Sequence, residues 1–361
     1  MSEYRSRGPI WSIVLLGAAF ALAFPGHSKA QTTGQTTIGG TWYLSYRVGK
    51  EGGETFNRFG IDRGYINIRH RLTDRWSGRI TPDVTLDDFG DAKVRLKYAY
   101  GDVKLDDAGF LTSPHIEFGI SHRPWLDYEE HISLYRNQGT MFMERAHLFN
   151  SADYGFTFFS LLGGEVDEEY QETVTSAYPG RWGSVAVGLY NGGGYHAKEA
   201  NENKSLEARL SIRPFPDAAP GLQISYLGMF GKGNTEESPD FTVNTVFASY
   251  ETRDVVLTAQ RYFGEGDSRG RFVDDDGVAV EQDGTSLFAE WKLHGPGMSI
   301  IGRYDTFNSD AEDGDSDRFI AGVAYHIKGH SKILMDLDIE SPDGFDTIDS
   351  RVLKLGLEFN F

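Results

Sequence analysis

The chain is 361 residues long and carries 35 Lys and Arg against 53 Asp and Glu, a formal net charge of −18. A surface this acidic excludes nucleic acid as an expected partner, because phosphate binding needs positive charge. The absence of cysteine excludes disulfide bonds, thiolate metal ligands and a cysteine nucleophile.

The start of the chain has the pattern of an export signal. Two arginines precede an apolar run over residues 10–24, and small residues follow at Ser28 and Ala30. A transmembrane anchor is the alternative, but the run is shorter than the roughly 20 residues that a spanning helix needs. We therefore predict that residues 1–30 are a signal peptide cleaved after Ala30, and that residues 31–361 form the exported protein.

Beyond this segment, apolar and polar residues alternate with the period of two that is typical of β-strands. At the end of the chain, Leu353, Leu355 and Leu357 share one face, while Lys354 and Glu358 share the other. Sixteen segments of this kind lie near residues 38–48, 60–71, 75–86, 93–104, 114–122, 153–162, 183–191, 204–213, 221–230, 241–250, 254–263, 285–293, 297–307, 318–327, 332–340 and 351–361. The chain is therefore predicted to be all-β.

The links between these segments are alternately short and long. Short turns such as 73–74 and 251–253 alternate with longer, acidic links such as 265–281 and 310–317. Short turns at one end and long loops at the other are typical of bacterial outer-membrane barrels. We predict a transmembrane antiparallel up-and-down β-barrel, with a secreted soluble β-protein as the alternative.

One link is long where a short turn is expected. Residues 163–182 either form a true long turn or hide additional strand at 170–175, which would raise the strand number from 16 to 18. A barrel of either size encloses an aqueous channel, whereas about eight strands are filled by their own side chains.

The polar faces of several strands carry basic residues, and we assign these to the wall of the channel. They are Arg47, Arg63, Arg69, Arg79, Arg95, Lys97, Arg209 and Arg213. A stripe of arginines facing acids across water would orient dipolar solutes and favour anions locally. The alternative is that the wall charges pair with one another and only solvate a wide lumen.

The longest early link, about residues 121–152, is too long and too aromatic for a solvated hairpin turn. A loop of this kind packs against something, and we expect it to fold inward and narrow the channel. The alternatives are that it caps the mouth or pairs with a neighbouring subunit. Its charged residues would then line the constriction: Arg123, Asp127, Glu129, Glu130, Arg136 and Arg145.

Several motifs resemble those of one porin family. Arg123-Pro124-Trp125 with Glu129-Glu130, the run from Ser151 to Gly155, and the run from Tyr190 to Tyr195 are similar to the phosphate-selective O/P porins. The resemblance implies a 16-stranded, usually trimeric pore with the third outside loop folded inward. It also implies that the terminal Phe361 is a signal read by the barrel-insertion machinery.

The sequence therefore predicts an outer-membrane porin of a Gram-negative bacterium that passes small hydrophilic solutes and ions by diffusion. A phosphate- or anion-selective channel and a barrel sheath that docks a partner protein are the alternatives. The expected partners are lipopolysaccharide, outer-membrane lipid, small solutes, the insertion machinery and two further copies in a homotrimer.

We predict no enzymatic activity, since no set of nucleophile, base and orienting group can be named. No cofactor is expected. The acidic outer links, including residues 274–276 and 310–317, could hold Ca²⁺ or Mg²⁺ loosely through carboxylate oxygens, although mutual repulsion of flexible acidic loops explains them equally.

Overall fold

The computed structural model describes residues 34–87, 89–295, 297–310, 315–342 and 348–361. The predicted signal peptide and its cleavage point lie outside these ranges. Sixteen antiparallel strands close into one barrel in which every strand pairs with its neighbours in sequence and β1 pairs with β16. The strands are β1 (Gln35–Glu51), β2 (Glu54–Arg71), β3 (Trp76–Leu86), β4 (Ala92–Lys104), β5 (Leu111–His122), β6 (Ala152–Leu162), β7 (Gly183–Tyr190), β8 (Ser205–Ile212), β9 (Leu222–Lys232), β10 (Asp240–Glu251), β11 (Val255–Glu265), β12 (Glu281–Leu293), β13 (Met298–Ser309), β14 (Ser316–Lys328), β15 (Ser331–Ser341) and β16 (Ser350–Asn360). The predicted 16-stranded up-and-down barrel is confirmed.

Closure depends on the end of the chain lying against its beginning. Trp42 is opposite Phe359 in the β1–β16 register, and the Phe361 N–H donates to the Gly40 carbonyl at 3.1 Å. Gly40 is needed here because a Cβ at this position would lie 2.5 Å from the Phe361 ring. The paired ends leave no open sheet edge at this seam, and an unpaired backbone edge is not tolerated in hydrocarbon.

Side chains alternate between the two faces of the wall, as the period of two predicts. On β16, Leu353, Leu355 and Phe359 are exposed on the outer face, whereas Lys354 and Glu358 are buried on the inner face. The same apolar outer face recurs around the barrel, at Leu206, Leu210, Leu257, Leu287, Ile300, Phe319 and Ile333. An apolar band of this kind suits a lipid environment.

The links define two ends of the barrel. The turn end carries residues 72–75, 105–110, 163–182, 213–221, 252–254, 294–297 and 329–330, and the loop end carries the other links. Two of the links contain short helices: α1 (Leu126–Ile132) and α2 (Phe142–Arg145) follow β5, and α3 (Glu168–Thr173) follows β6. The alternative of additional strand at 170–175 is wrong, because α3 occupies most of it and begins where Asp167 caps the Tyr170 N–H. No helix in the described ranges is long and apolar enough to cross a membrane.

The inner face of the wall differs between the two sides of the barrel. On β9 to β12 the inward side chains include Leu227, Val243, Phe247 and Phe288, all buried in one apolar cluster. The same cluster includes Ile301 on β13, Ala324 on β14 and Leu334 on β15, together with residues of the segment 123–151, which we call the β5–β6 loop. The inner face of β1 to β4 carries the predicted polar and basic residues. Part of the interior is thus a packed hydrophobic core rather than a water-facing wall.

Candidate functional site

The β5–β6 loop is bound to the wall at its first residue. The Arg123 guanidinium forms a bidentate ion pair with the Glu207 carboxylate of β8, with Nε 3.0 Å from Oε2. Both side chains are 1% exposed, and the Phe149 ring lies 5.1 Å from the guanidinium. The pair satisfies two charges that burial would otherwise make costly. Arg123 therefore anchors the loop and does not face water.

Further anchors follow the wall around the barrel. They are hydrogen bonds from Tyr128 to Ser225 on β9 (2.9 Å), from Tyr135 to Glu290 on β12 (2.6 Å), from Arg145 to Asp305 on β13 (2.7 Å), from Lys332 on β15 to the Leu134 carbonyl (2.6 Å) and from Lys354 on β16 to the Asn137 carbonyl. All the wall partners lie on the inner face. The loop is thus attached to one side of the interior, from β8 to β16.

Apolar contacts support these anchors. Trp125, 1% exposed, meets the Phe247 ring edge-on at a centroid distance of 5.4 Å, and Tyr135 packs on Phe288 at 5.9 Å. Burying one such aromatic side chain contributes on the order of 2–3 kcal/mol. The loop is therefore packed against the wall through a hydrophobic cluster and is held in place by it.

Three charged residues of the loop form a cluster near its middle. The Arg136 guanidinium contacts the Glu130 carboxylate and lies 3.2 Å from the Glu144 carboxylate. Burial alone would raise the pKa of Glu144, yet Arg136 and then Lys97 hold it below its ordinary value. Lys97 belongs to β4, so the loop cluster acts electrostatically on the opposite wall.

That opposite wall gathers the predicted basic stripe. Arg63 and Arg95 share the buried Asp83 carboxylate, at 3.6 and 3.2 Å.

The other basic residues of this wall have contacts of their own. Lys97 Nζ lies 4.5 Å from the centre of the Tyr65 ring, and Arg79 donates to Asn67 Oδ1 at 2.6 Å. Arg69 is opposite Arg79 in the β2–β3 register, and Arg47 pairs with Asp62 at 2.8 Å. Most of these bases keep a polar partner on the wall.

The loop cluster and the basic wall meet around a cavity of about 380 Å³ on the loop side, which both line. Arg63, Arg95 and Arg136 contribute to it, as does Arg269 from the link after β11. Burial, then Arg269 and Arg95, lower the pKa of His196 to about 4 at this cavity. The surroundings of the cavity are therefore electropositive, although the protein as a whole is acidic.

On the turn side, Asp127 and His131 of the loop line a second cavity, of about 530 Å³. Asp127 accepts a hydrogen bond from the Tyr178 hydroxyl at 2.7 Å and lies 3.5 Å from His131. Burial would raise the pKa of Asp127, but His131 and then His122 hold it well below its ordinary value. The Asp127 carboxylate in turn raises the pKa of His131.

Several residues that the sequence assigned to the water-facing site are buried instead, among them Arg123 and Lys97. Glu129 is 4% exposed and accepts from the Trp125 indole at 2.8 Å, and burial raises its pKa to about 7. Arg209 is covered by the loop, where it donates to the Pro124 carbonyl at 2.8 Å. Arg213 lies over the Tyr170 ring at the turn end. Alternation places the two arginines on the inner face, but other chain segments cover them.

The motifs that carry the family resemblance contact each other. Asp153 is fully buried and accepts a hydrogen bond from the Gly192 N–H at 2.8 Å, while the Tyr195 N–H donates to the Ala152 carbonyl. Gly192 has φ +104°, a conformation that glycine adopts without strain. The glycine run thus holds Tyr195, whose hydroxyl donates to Asp83 at 3.1 Å.

The described residues of the acidic links form no built metal site. Within the described ranges, no group of three or more His, Asp or Glu side chains is arranged to hold an ion. Asp274 instead accepts from the Asp276 and Val278 N–H groups of its own turn. Glu312 and Asp313 lie outside the described residues.

Sequence reasoning missed two features of this site. The first is the apolar inner face under the loop. Its signal is that apolar residues occur in both alternating sets of β10, with Phe241, Val243 and Phe247 on the inner face and Val246 on the outer. The second is Tyr178, which reaches the loop from the link after β6. Its signal is the aromatic content of a link that should be a short turn.

Comparisons with known proteins show which known fold the chain shares. No family model matches the chain, and no curated protein matches it in sequence. Among solved structures, an anion-selective porin from Comamonas acidovorans superposes with a TM-score of 0.64 at 11% identity, covering 91% of this chain and 100% of the other. This protein has the porin fold. The outer membrane channel DcaP of Acinetobacter baumannii (TM-score 0.60, 12% identity, 92% and 99% covered) and Salmonella typhi OmpF in complex with daunomycin (0.62, 9%, 90% and 97%) are also similar.

Proposed function

We propose that the chain is a passive outer-membrane porin through which small hydrophilic solutes and ions diffuse. The observation that carries the proposal is the attachment of the β5–β6 loop to the inner face from β8 to β16. In the closed ring of sixteen strands, β2 to β4 lie across the barrel from the middle of this range. The water path would then run between the loop and the basic wall.

The charges on the two sides of this path suggest how it acts on solutes. Glu130 and Glu144 lie on the loop side, and Arg63, Arg95 and Lys97 lie on the wall. Charges of opposite sign across a narrow, water-filled passage create a field that orients dipolar solutes and biases which ions pass. Diffusion needs no catalytic group, so the proposal includes no enzymatic step.

The proposal is tested by recording the purified protein in planar lipid bilayers. We expect steady open-channel steps, and a reversal potential in a salt gradient that shifts towards cations in Arg136→Ala, because Glu130 and Glu144 lose their partner. Arg253→Ala, an exposed arginine in the β10–β11 turn, is the matched control and should leave the reversal potential unchanged. A purified protein that carries no current in the bilayer would refute the proposal.

Anion preference is the second candidate, and the electropositive cavity favours it. Arg63, Arg95, Arg136 and Arg269 converge there, whereas Glu144 is one of few acids that line it. If anions are preferred, the wild-type reversal potential has the sign of an anion current, and Arg269→Ala moves it towards zero. Cation preference of the wild type would exclude this candidate. Membership of the phosphate-selective O/P family stays a prediction from the motifs.

The proposal also covers the location of the protein in the cell, its oligomeric state and its bound ions. The apolar outer face fits the outer membrane of a Gram-negative bacterium, reached after cleavage near Ala30, with Phe361 serving the insertion machinery. A homotrimer is proposed by analogy with a solved trimeric form of OmpT of Vibrio cholerae, which shares the fold (TM-score 0.59, 14% identity). Loose Ca²⁺ or Mg²⁺ bridges from the acidic loops to lipopolysaccharide are proposed from carboxylate chemistry alone.

A further inference from the structure

The link between β6 and β7, residues 163–182, is a folded structure. Its two arms are joined by hydrogen bonds from the Val166 N–H to the Pro179 carbonyl (2.8 Å) and from the Arg181 N–H to the Gly164 carbonyl (2.9 Å). Helix α3 lies between the arms. At the other described turns of this end, such as 252–254 and 329–330, the chain reverses within a few residues. An ordered segment of this length needs a reason beyond joining two strands.

The segment is attached to the inner wall. Val166 and Tyr170 are buried, and the Arg213 guanidinium lies 5.4 Å from the Tyr170 ring. Arg213 also donates to the Tyr178 carbonyl at 3.4 Å, and Arg209 lies 5.1 Å from the Tyr178 ring. Cation–π contacts at desolvated sites of this kind are stabilising. The segment is therefore held against β8.

The returning arm of the segment contacts the β5–β6 loop through Tyr178. The Tyr178 hydroxyl donates to Asp127, its ring packs edge-on against Tyr128 at 5.1 Å, and His131 lies 5.8 Å from the same ring. Tyr178 has φ +47°, an uncommon conformation for a bulky residue, which persists only where surrounding contacts enforce it. Ala177 and Tyr178 line the 530 Å³ cavity together with inward residues of β5.

We propose that the 163–182 link is a second size-limiting element of the pore, with Tyr178 as the side chain that narrows it, so that a solute passes two restrictions in series. The inference rests on the proposed porin function and adds the specificity-determining segment on the turn side. Solutes small enough to pass the β5–β6 loop would still be retained if they are larger than the opening beside Tyr178. The Asp127–Tyr178 hydrogen bond joins the two segments, so that a displacement of one restriction would displace the other.

The absence of cysteine permits a direct test, because an introduced thiol is the only one in the protein. Ala177→Cys is treated in a planar bilayer with a water-soluble cationic methanethiosulfonate reagent. We expect a stepwise loss of current. Glu169→Cys, on the exposed face of α3, is the matched control, and its modification should leave the current unchanged. An Ala177→Cys thiol that does not react, or reacts without loss of current, overturns the inference.

Tyr178→Ala is the second variant, and it does not depend on labelling. We expect a larger open-channel conductance and entry of larger uncharged polymers, whereas Tyr178→Phe should keep the size limit of the wild type because the ring remains. Equal polymer limits for wild type and Tyr178→Ala would overturn the inference while the porin function stands. A wild type without any current would refute the porin function, and the inference with it.

Discussion

Arg123 and Glu207 form a buried ion pair that joins two segments of this protein. Both side chains are buried in the barrel interior, where each charge is tolerated because the other compensates it. The arginine belongs to the start of the β5–β6 loop and the glutamate to β8. A residue type that suggested ion selectivity in the sequence thus has a positioning role in the structure.

Arg123→Ala is expected to destabilise the barrel by about 3–5 kcal/mol, because it leaves the Glu207 carboxylate buried without a positive charge beside it. The free energy of unfolding is measured by urea titration in lipid vesicles, with tryptophan fluorescence as the signal. The double variant Arg123→Met with Glu207→Leu removes both charges and should cost much less. A double variant as unstable as the single one would contradict this explanation.

Glu129 makes the stability of the protein depend on pH. Burial raises its pKa to about 7 from an ordinary value of 4.5. Between these pH values the folded chain retains a proton that the unfolded chain has released, so the free energy of unfolding falls as the pH rises through this window. Glu129→Gln removes the titration and still accepts from the Trp125 indole. We expect it to stabilise the protein at pH 8 by up to about 3 kcal/mol and to have little effect at pH 4. Equal effects at both pH values would contradict the prediction.

At the scale of the element, the β5–β6 loop is defined by what it is packed against. Its aromatic residues are buried on an apolar inner face of β9 to β15, and its hydrogen bonds reach strands far away in the sequence. An interior packed in this way holds the loop in one arrangement, since cores lose several kcal/mol when a large side chain is removed.

Trp125→Ala is expected to destabilise the barrel by about 3–5 kcal/mol, because it empties the contact with Phe247 and frees the Glu129 carboxyl from its indole partner. The loosened loop should also give irregular current steps in a planar bilayer. Trp291→Ala, an exposed tryptophan on the outer face of β12, is the matched control and should keep steady steps. Steady steps in both variants would show that the loop is not held by Trp125.

At the scale of the whole molecule, the closed ring of strands explains how a chain with a mean hydropathy of −0.41 presents an apolar surface. Only every second residue of a strand faces outward, so the average over the chain stays polar. The backbone hydrogen bonds run around the ring from β1 to β16 and back to β1. Closure satisfies the backbone without water, as a lipid environment requires.

The closed barrel predicts a characteristic response to detergent. The processed protein should require detergent for solubility and should migrate faster on gels without boiling than after it, because the folded ring is more compact than the unfolded chain. The cost of opening a ring of paired strands in detergent keeps it folded until it is heated. Identical migration of boiled and unboiled samples, together with solubility in plain buffer, would contradict the barrel in membranes.

The period of two along the chain was sufficient to predict all sixteen strands and the side of the wall on which Lys97, Arg209 and Leu355 lie, and the alternation of short and long links predicted their antiparallel order. These features are local, since an alternating strand buried in lipid on one face has one compatible orientation. The predicted ends of β9, β12 and β13 differ from the structure by up to a few residues, because strand ends depend on neighbours.

The path of the two inward segments was decided by tertiary structure alone. Alternation places Arg209 on the inner face, but only the fold brings Pro124 and Tyr178 over it. The same holds for Arg123, whose partner Glu207 is distant in sequence. Whether an inward charge meets water or another segment depends on contacts between residues far apart in the chain, and no local pattern encodes which of them meet.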